Sequence, residues 1–136
     1  MEKRLFELIM TVSAKCWATE QKIMDQLSLS SAEFNGLLIL RDGEALPAFE
    51  LSAKMGLSPS RGSRVIDRLA RQGYVTVATP PEDRRRVSVA LTSHGLEMQR
   101  QMGELMSDCE QRLLASLSPA QQKQVRAALA LLAEVM

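Results

Sequence analysis

From Glu2 to about Leu27 the apolar positions Leu5, Ile9, Val12, Cys16, Ile23 and Leu27 recur at steps of three, four and seven. Phe6, Met10, Trp17 and Met24 widen the stripe, and neither Gly nor Pro interrupts it. This spacing predicts a long amphipathic helix. Ser30-Ser31-Ala32-Glu33 reads as a capping box, with the hydroxyl serving a free amide and the carboxylate reaching back, so a second helix follows through Phe34, Leu37, Leu38 and Leu40. Asp42-Gly43 stops it. Pro47 suits the first turn of a short third helix that carries Phe49, Leu51 and Met55 and ends at Gly56. Ser58 and Pro59 open a fourth, running to about Gln72 with Val65, Ile66 and Leu69 inward, and Gly73 supplies the left-handed residue that closes it.

The period then shortens to two. Tyr74-Val75-Thr76-Val77 is aromatic and β-branched, and Val87, Val89 and Leu91 alternate with Ser88 and Ala90. Two antiparallel strands are expected, joined by the exposed loop from Ala78 to Arg86. Helical spacing resumes after Thr92, an N-cap, through Met98, Met102, Leu105, Cys109 and Leu113. Ser118-Pro119-Ala120-Gln121 combines a capping box with a first-turn proline and opens a last helix through Val125, Leu129, Leu132 and Val135. The expected fold class is mainly α with a small antiparallel β-hairpin wing. Residues 1–136 read as a single domain, with a central lobe over 30–92 flanked by helices over 1–29 and 93–136.

Charge changes the picture by where it falls. The net charge of the 136 residues is only +1, yet residues 58–86 hold seven arginines against three acidic residues, a net of +4, leaving −3 for the remainder. A phosphate-binding surface needs that concentration more than a high overall charge. The third and fourth helices, joined by a tight Gly-Leu-Ser turn, form a helix-turn-helix. With Val65, Ile66 and Leu69 inward, the outward face of the fourth helix presents Pro59, Ser60, Arg61, Ser63 and Arg64. Small hydroxylic residues allow close approach to a major groove, and the arginines reach base edges or phosphates. The loop Pro80-Pro81-Glu82-Asp83-Arg84-Arg85-Arg86 places three guanidinium groups on a protruding tip directly after that helix, where a flanking minor groove or backbone would be met.

These stretches resemble the MarR (multiple antibiotic resistance regulator) family. The resemblance rests on Leu57-Ser58-Pro59-Ser60, Asp67-Arg68-Leu69 and Gly73-Tyr74-Val75, and more specifically on Asp83-Arg84-Arg85 followed by Val87, Val89, Leu91-Thr92 and Gly95. It implies a winged helix-turn-helix homodimer, held by the N- and C-terminal helices, that binds a pseudo-palindromic double-stranded DNA operator. It implies further a repressor relieved by a small-molecule effector or by oxidation. The family's DNA contacts carry over to Ser58, Ser60, Arg61, Ser63, Arg64 and Arg68 in the helix and to Arg84, Arg85 and Arg86 in the wing. Asp67 and Asp83 correspond to residues that brace the wing, with Arg84 or Arg85 as partner of Asp67. Arg61 and Gly62 stand where relatives often carry other polar or small residues, so base preference does not transfer.

The terminal helices offer more oily surface than the central lobe can cover, which a second copy of the chain would bury. Met10, Met24, Met98 and Met102 either fill an irregular core or line a pliable effector pocket. Cys16 sits on an apolar stripe, where a thiol behaves as a small buried hydrophobe. A redox sensor at Cys16 is the alternative reading, and Cys109 is a weaker candidate. A winged-helix module for protein contacts, without a specific DNA target, is the other. The two cysteines fit no zinc spacing, and one histidine with no Gly-rich phosphate loop leaves no recognisable catalytic grouping. No metal, cofactor or enzymatic activity is therefore expected. The absence of an opening signal sequence and of a long apolar run predicts a cytoplasmic protein without membrane contact.

Overall fold

The computed structural model describes residues 2–83 and 86–136. Six helices and three strands occur among them: α1 Leu5–Leu27, α2 Ser31–Ile39, β1 Leu46–Pro47, α3 Ala48–Lys54, α4 Pro59–Arg71, β2 Val75–Ala78, β3 Ser88–Leu91, α5 Ser93–Ala115 and α6 Pro119–Val135. The fold is mostly helical with one small antiparallel sheet. By internal packing the chain divides into two compact units, residues 1–102 and 103–136.

Within the first unit the core lies where helix faces meet the sheet. Leu37 of α2, Leu51 of α3, Leu69 of α4 and Val89 of β3 are fully enclosed, with Phe34, Val65, Ile66 and Val75 around them. Ile23 and Met24 of α1 and Met98 and Met102 of α5 are buried as well. Helix ends are fixed by local chemistry. Ser30 Oγ accepts from the Glu33 amide at 3.2 Å while the Glu33 carboxylate takes the Ser30 amide, and Thr92 Oγ1 accepts from the Gly95 amide at 3.0 Å. The side-chain amide of Gln99 on α5 donates to the carbonyls of both Leu37 and Leu40, each at 2.6 Å, satisfying the open end of α2.

The hairpin forms in the register Val75↔Leu91, Thr76↔Ala90, Val77↔Val89 and Ala78↔Ser88. A third strand was not anticipated. Leu46 pairs with Val89 and Pro47 with Ser88, giving the sheet order β1-β3-β2. Pro47 therefore stands in an edge strand and caps α3, which begins at Ala48, instead of occupying that helix's first turn. Proline is tolerated at an edge because its missing amide faces no neighbour. The Ala48 amide donates to Val87 O at 2.8 Å, so the start of α3 is tied directly to the base of the hairpin.

In the second unit, Ser118 and Gln121 form the capping box that opens α6. Gln122 Nε2 donates to the carbonyls of Leu114 and Leu117, holding the turn between α5 and α6. None of the residues of α6 is buried: Leu129 is 52% and Val135 68% exposed. The first half of α1 is equally bare, with Leu5, Phe6, Met10, Val12 and Trp17 all at least half exposed. Among the described residues no helix is long and apolar enough to cross a membrane.

Candidate nucleic-acid interface

Helix α4 starts at Ser58, whose hydroxyl accepts from the Arg61 amide at 3.3 Å, with Pro59 in the first turn where no amide is needed. Gly62, Val65, Ile66 and Leu69 form its buried stripe, at helical spacings of three and four. Ser60, Arg61, Ser63, Arg64, Asp67, Arg68 and Arg71 are all exposed. This separation into an oily and a cationic side follows from the 3.6-residue period alone.

Arg61, Arg64 and Arg68, at i, i+3 and i+7, share one side of the helix. They line an open groove of about 280 Å³ whose other walls are Ala32, Leu57 and Val65. Three permanent positive charges thus stand over an apolar floor. The Ala32 and Leu57 walls were not foreseen, because nothing in the pattern of α2 announces that its first turn comes beside α4.

The turn before α4 is locked. The Leu57 amide donates to Ser52 O at 3.0 Å, the Met55 amide to Leu51 O at 3.0 Å, and Gly56 takes φ = 72°, a conformation that costs glycine nothing. At the other end, the Tyr74 amide donates to Leu69 O and the Thr92 amide to Tyr74 O, both at 3.0 Å, so hairpin and helix leave one anchored corner. The exposed His94 ring stacks on Tyr74 with centroids 4.8 Å apart.

In the wing loop, Arg86 is exposed, with its Nε 3.8 Å from Asp83 Oδ2, and its amide donates to Asp83 O at 3.1 Å. Asp83 is half-buried. Arg84 and Arg85, expected at that tip, lie outside the described residues, and with them the expected partner of Asp67. Asp67 itself is exposed on α4.

Met24, Met98 and Met102 are buried, but Met10 is 59% exposed on α1. Fourteen residues of helix separate Met10 from Met24, about 21 Å at 1.5 Å per residue, so one small-molecule pocket within the chain does not take both. In the single chain Cys16 is exposed, because the stripe it belongs to is uncovered at that end of α1, while Cys109 is half-buried. Among the described residues no cluster of three or more His, Cys, Asp or Glu side chains could hold a metal ion.

A helix-turn-helix whose second helix is followed at once by a β-hairpin is a winged helix-turn-helix. Residues 29–87, the lobe just described, match the sequence model of the MarR family. The chain is 27% identical over 135 residues to an uncharacterized HTH-type transcriptional regulator, YfiV, of Bacillus subtilis strain 168, covering 99% of this chain and 84% of that protein. It is 25% identical over 123 residues to the transcriptional repressor MprA of Escherichia coli strain K12, covering 89% and 70% respectively. The crystal structure of apo wild-type MarR from E. coli superposes with a TM-score of 0.77 at 25% identity, over 97% of this chain and 98% of that one. The match to the MarR family thus spans the winged lobe, and the relatives are named as transcriptional regulators.

Proposed function

We propose that the protein is a transcriptional regulator that binds a specific pseudo-palindromic operator as a homodimer and represses from it, as the name of its relative MprA says of that protein. The observation that carries this reading is the α4 face: three arginines over one groove, beside small hydroxylic residues that let the helix sink into a major groove. Ser58, Ser60, Arg61, Ser63, Arg64 and Arg68 meet bases and phosphates, and Arg84 to Arg86 reach the flanking groove. Asp67 and Asp83 brace the wing. Residues 30–92 act as the DNA-binding lobe, and residues 1–29 and 93–136 as the dimerisation region. The bare apolar faces of α1 and α6 support the second part, since exposed side chains such as Phe6 at 66% and Leu131 at 60% need cover. The working compartment is the cytoplasm, where DNA is met, and no reaction is catalysed.

The experiment is selection of bound sequences from random duplexes by the purified protein, with sedimentation measured in parallel. An enriched motif with two inverted half-sites, bound by a species of twice the chain mass, is the expected result. A pool that stays random, or a monomer, refutes the reading.

A further inference from the structure

Gly62 opens the buried stripe of α4, and Ser52 of α3, 2% exposed, faces it. A Cβ at position 62 would overlap both Oγ and Cβ of Ser52 and stand 3.1 Å from its Cα. The two helices therefore approach more closely here than any L side chain at 62 allows. The Ser52 hydroxyl donates back to Ala48 O at 2.9 Å, so the small side chain brings no unpaired polar group into the contact. Ser60, Arg61, Ser63 and Arg64, the residues assigned to the DNA, all lie within two positions of Gly62.

We propose that the Gly62–Ser52 contact is a positioning device that sets how the N-terminal half of α4 is presented to DNA, and so determines operator specificity. The inference rests on the operator-binding reading above. An alanine at 62 forces a choice: separate α3 from α4, or expel Ser52. Rotation of Ser52 about χ1 frees Oγ but leaves Cβ in place. Because carbon contacts settle near 3.5–4.0 Å, the remaining overlap needs a shift of about 1 Å or more. Hydrogen bonds to base edges hold only over about 2.7–3.2 Å, so such a shift breaks them. Attraction to phosphates is long-ranged and borne by flexible arginines, so it survives.

The test measures affinity of wild type, Gly62→Ala, Ser52→Gly and the double variant for the duplex that wild type enriches from a random pool, and for a scrambled duplex. Gly62→Ala is expected to lose at least about tenfold on the enriched duplex, the scale of one base contact. It should lose less than about threefold on the scrambled one, where phosphates dominate. Ser52→Gly removes both overlapping atoms, so the double variant should regain the discrimination of Ser52→Gly alone. A contact that merely stabilises the fold would lower both affinities together, leaving their ratio unchanged, and that result overturns the inference. So does a double variant that is no better than Gly62→Ala, whether in discrimination or, should Gly62→Ala not fold, in folding. Wild type failing to discriminate is a different outcome: it removes the operator reading itself.

Discussion

Replacing Arg64 by alanine separates two ways in which α4 can use its cationic face. Arg64 is exposed and lies between Arg61 and Arg68 along one groove. Truncating an exposed side chain away from the core should leave folding within about 0.5 kcal/mol, so binding can be read without correction for unfolded protein. If Arg64 pairs bidentately with a guanine, its loss costs about 1–3 kcal/mol per half-site, roughly 5- to 150-fold. That loss falls on the operator and spares a random duplex. If Arg64 holds a phosphate instead, both duplexes weaken, and the slope of log affinity against log salt falls by about 0.9 per protomer. Arg71 is the internal control. It is exposed on the same helix, seven residues further on, about 10 Å along the axis, beyond reach of the base edges met by the N-terminal turn. Fluorescence anisotropy with both duplexes at four salt concentrations gives all these quantities. Unchanged affinity and slope for Arg64→Ala, with discrimination lost in Arg71→Ala, would mean that the wrong end of α4 has been assigned to the DNA.

Three further outcomes follow from the packing. Gln99→Ala should destabilise the protein by about 1–3 kcal/mol in urea unfolding, because the Leu37 and Leu40 carbonyls lose a shared donor in a partly buried setting. The Glu97 carboxyl is held down at about 2 by its hydrogen bonds to Arg100 and then Gln101, against an ordinary value of 4.5. A depressed carboxyl stabilises the folded state above the unfolded value and loses that contribution as pH falls from about 4.5 towards 2. Arg100→Ala should return Glu97 towards 4.5 in an NMR titration and flatten that part of the acid-stability profile. Ser28 caps α1 in the left-handed region at φ = 55°, ψ = 40°, so Ser28→Gly should raise the stability measured by thermal unfolding, by about 1 kcal/mol.

Helix ends were the most legible features of the sequence, because their chemistry is local. The capping boxes at Ser30 and Ser118, the first-turn proline at 59 and the left-handed Gly73, with φ = 81°, all stand where their residue types require. The hairpin was legible for the same reason, since alternation over Val87 to Leu91 needs only a period of two. Strand β1 was not. Two residues show no period, and Leu46 pairs with Val89 across more than forty positions, a contact no local pattern announces. Burial was legible only in part. Periodicity says that Leu5, Phe6 and Val12 share a face, not what covers it, and within one chain nothing covers it fully. Phe49 shows the same limit on a smaller scale: an apolar position of α3, it is 67% exposed while Leu51, two residues on, is completely enclosed. At the candidate interface the exposed arginines could be named from the wheel of α4, whereas the close seat of Gly62 on Ser52 depends on where a second helix lies.

The distribution of charge constrains how such a nearly neutral molecule could find DNA. A chain of net +1 gains little from non-specific attraction at a distance. Its residues outside 58–86 carry −3, so on the operator-binding reading segment 58–86 is the part of the chain with a net attraction for phosphates. Steering by that segment would favour the productive orientation before any base is read. The same distribution caps the electrostatic part of affinity. The seven arginines of that segment, with Arg41 and Lys54, are the winged lobe's whole supply, so even full engagement gives a salt slope of at most about 8 per protomer. Asp67 and Asp83, which lie among those arginines, lower the practical figure. A measured slope well above the cap would require lysines or arginines from the flanking helices to touch DNA, and would place part of the interface outside the winged lobe.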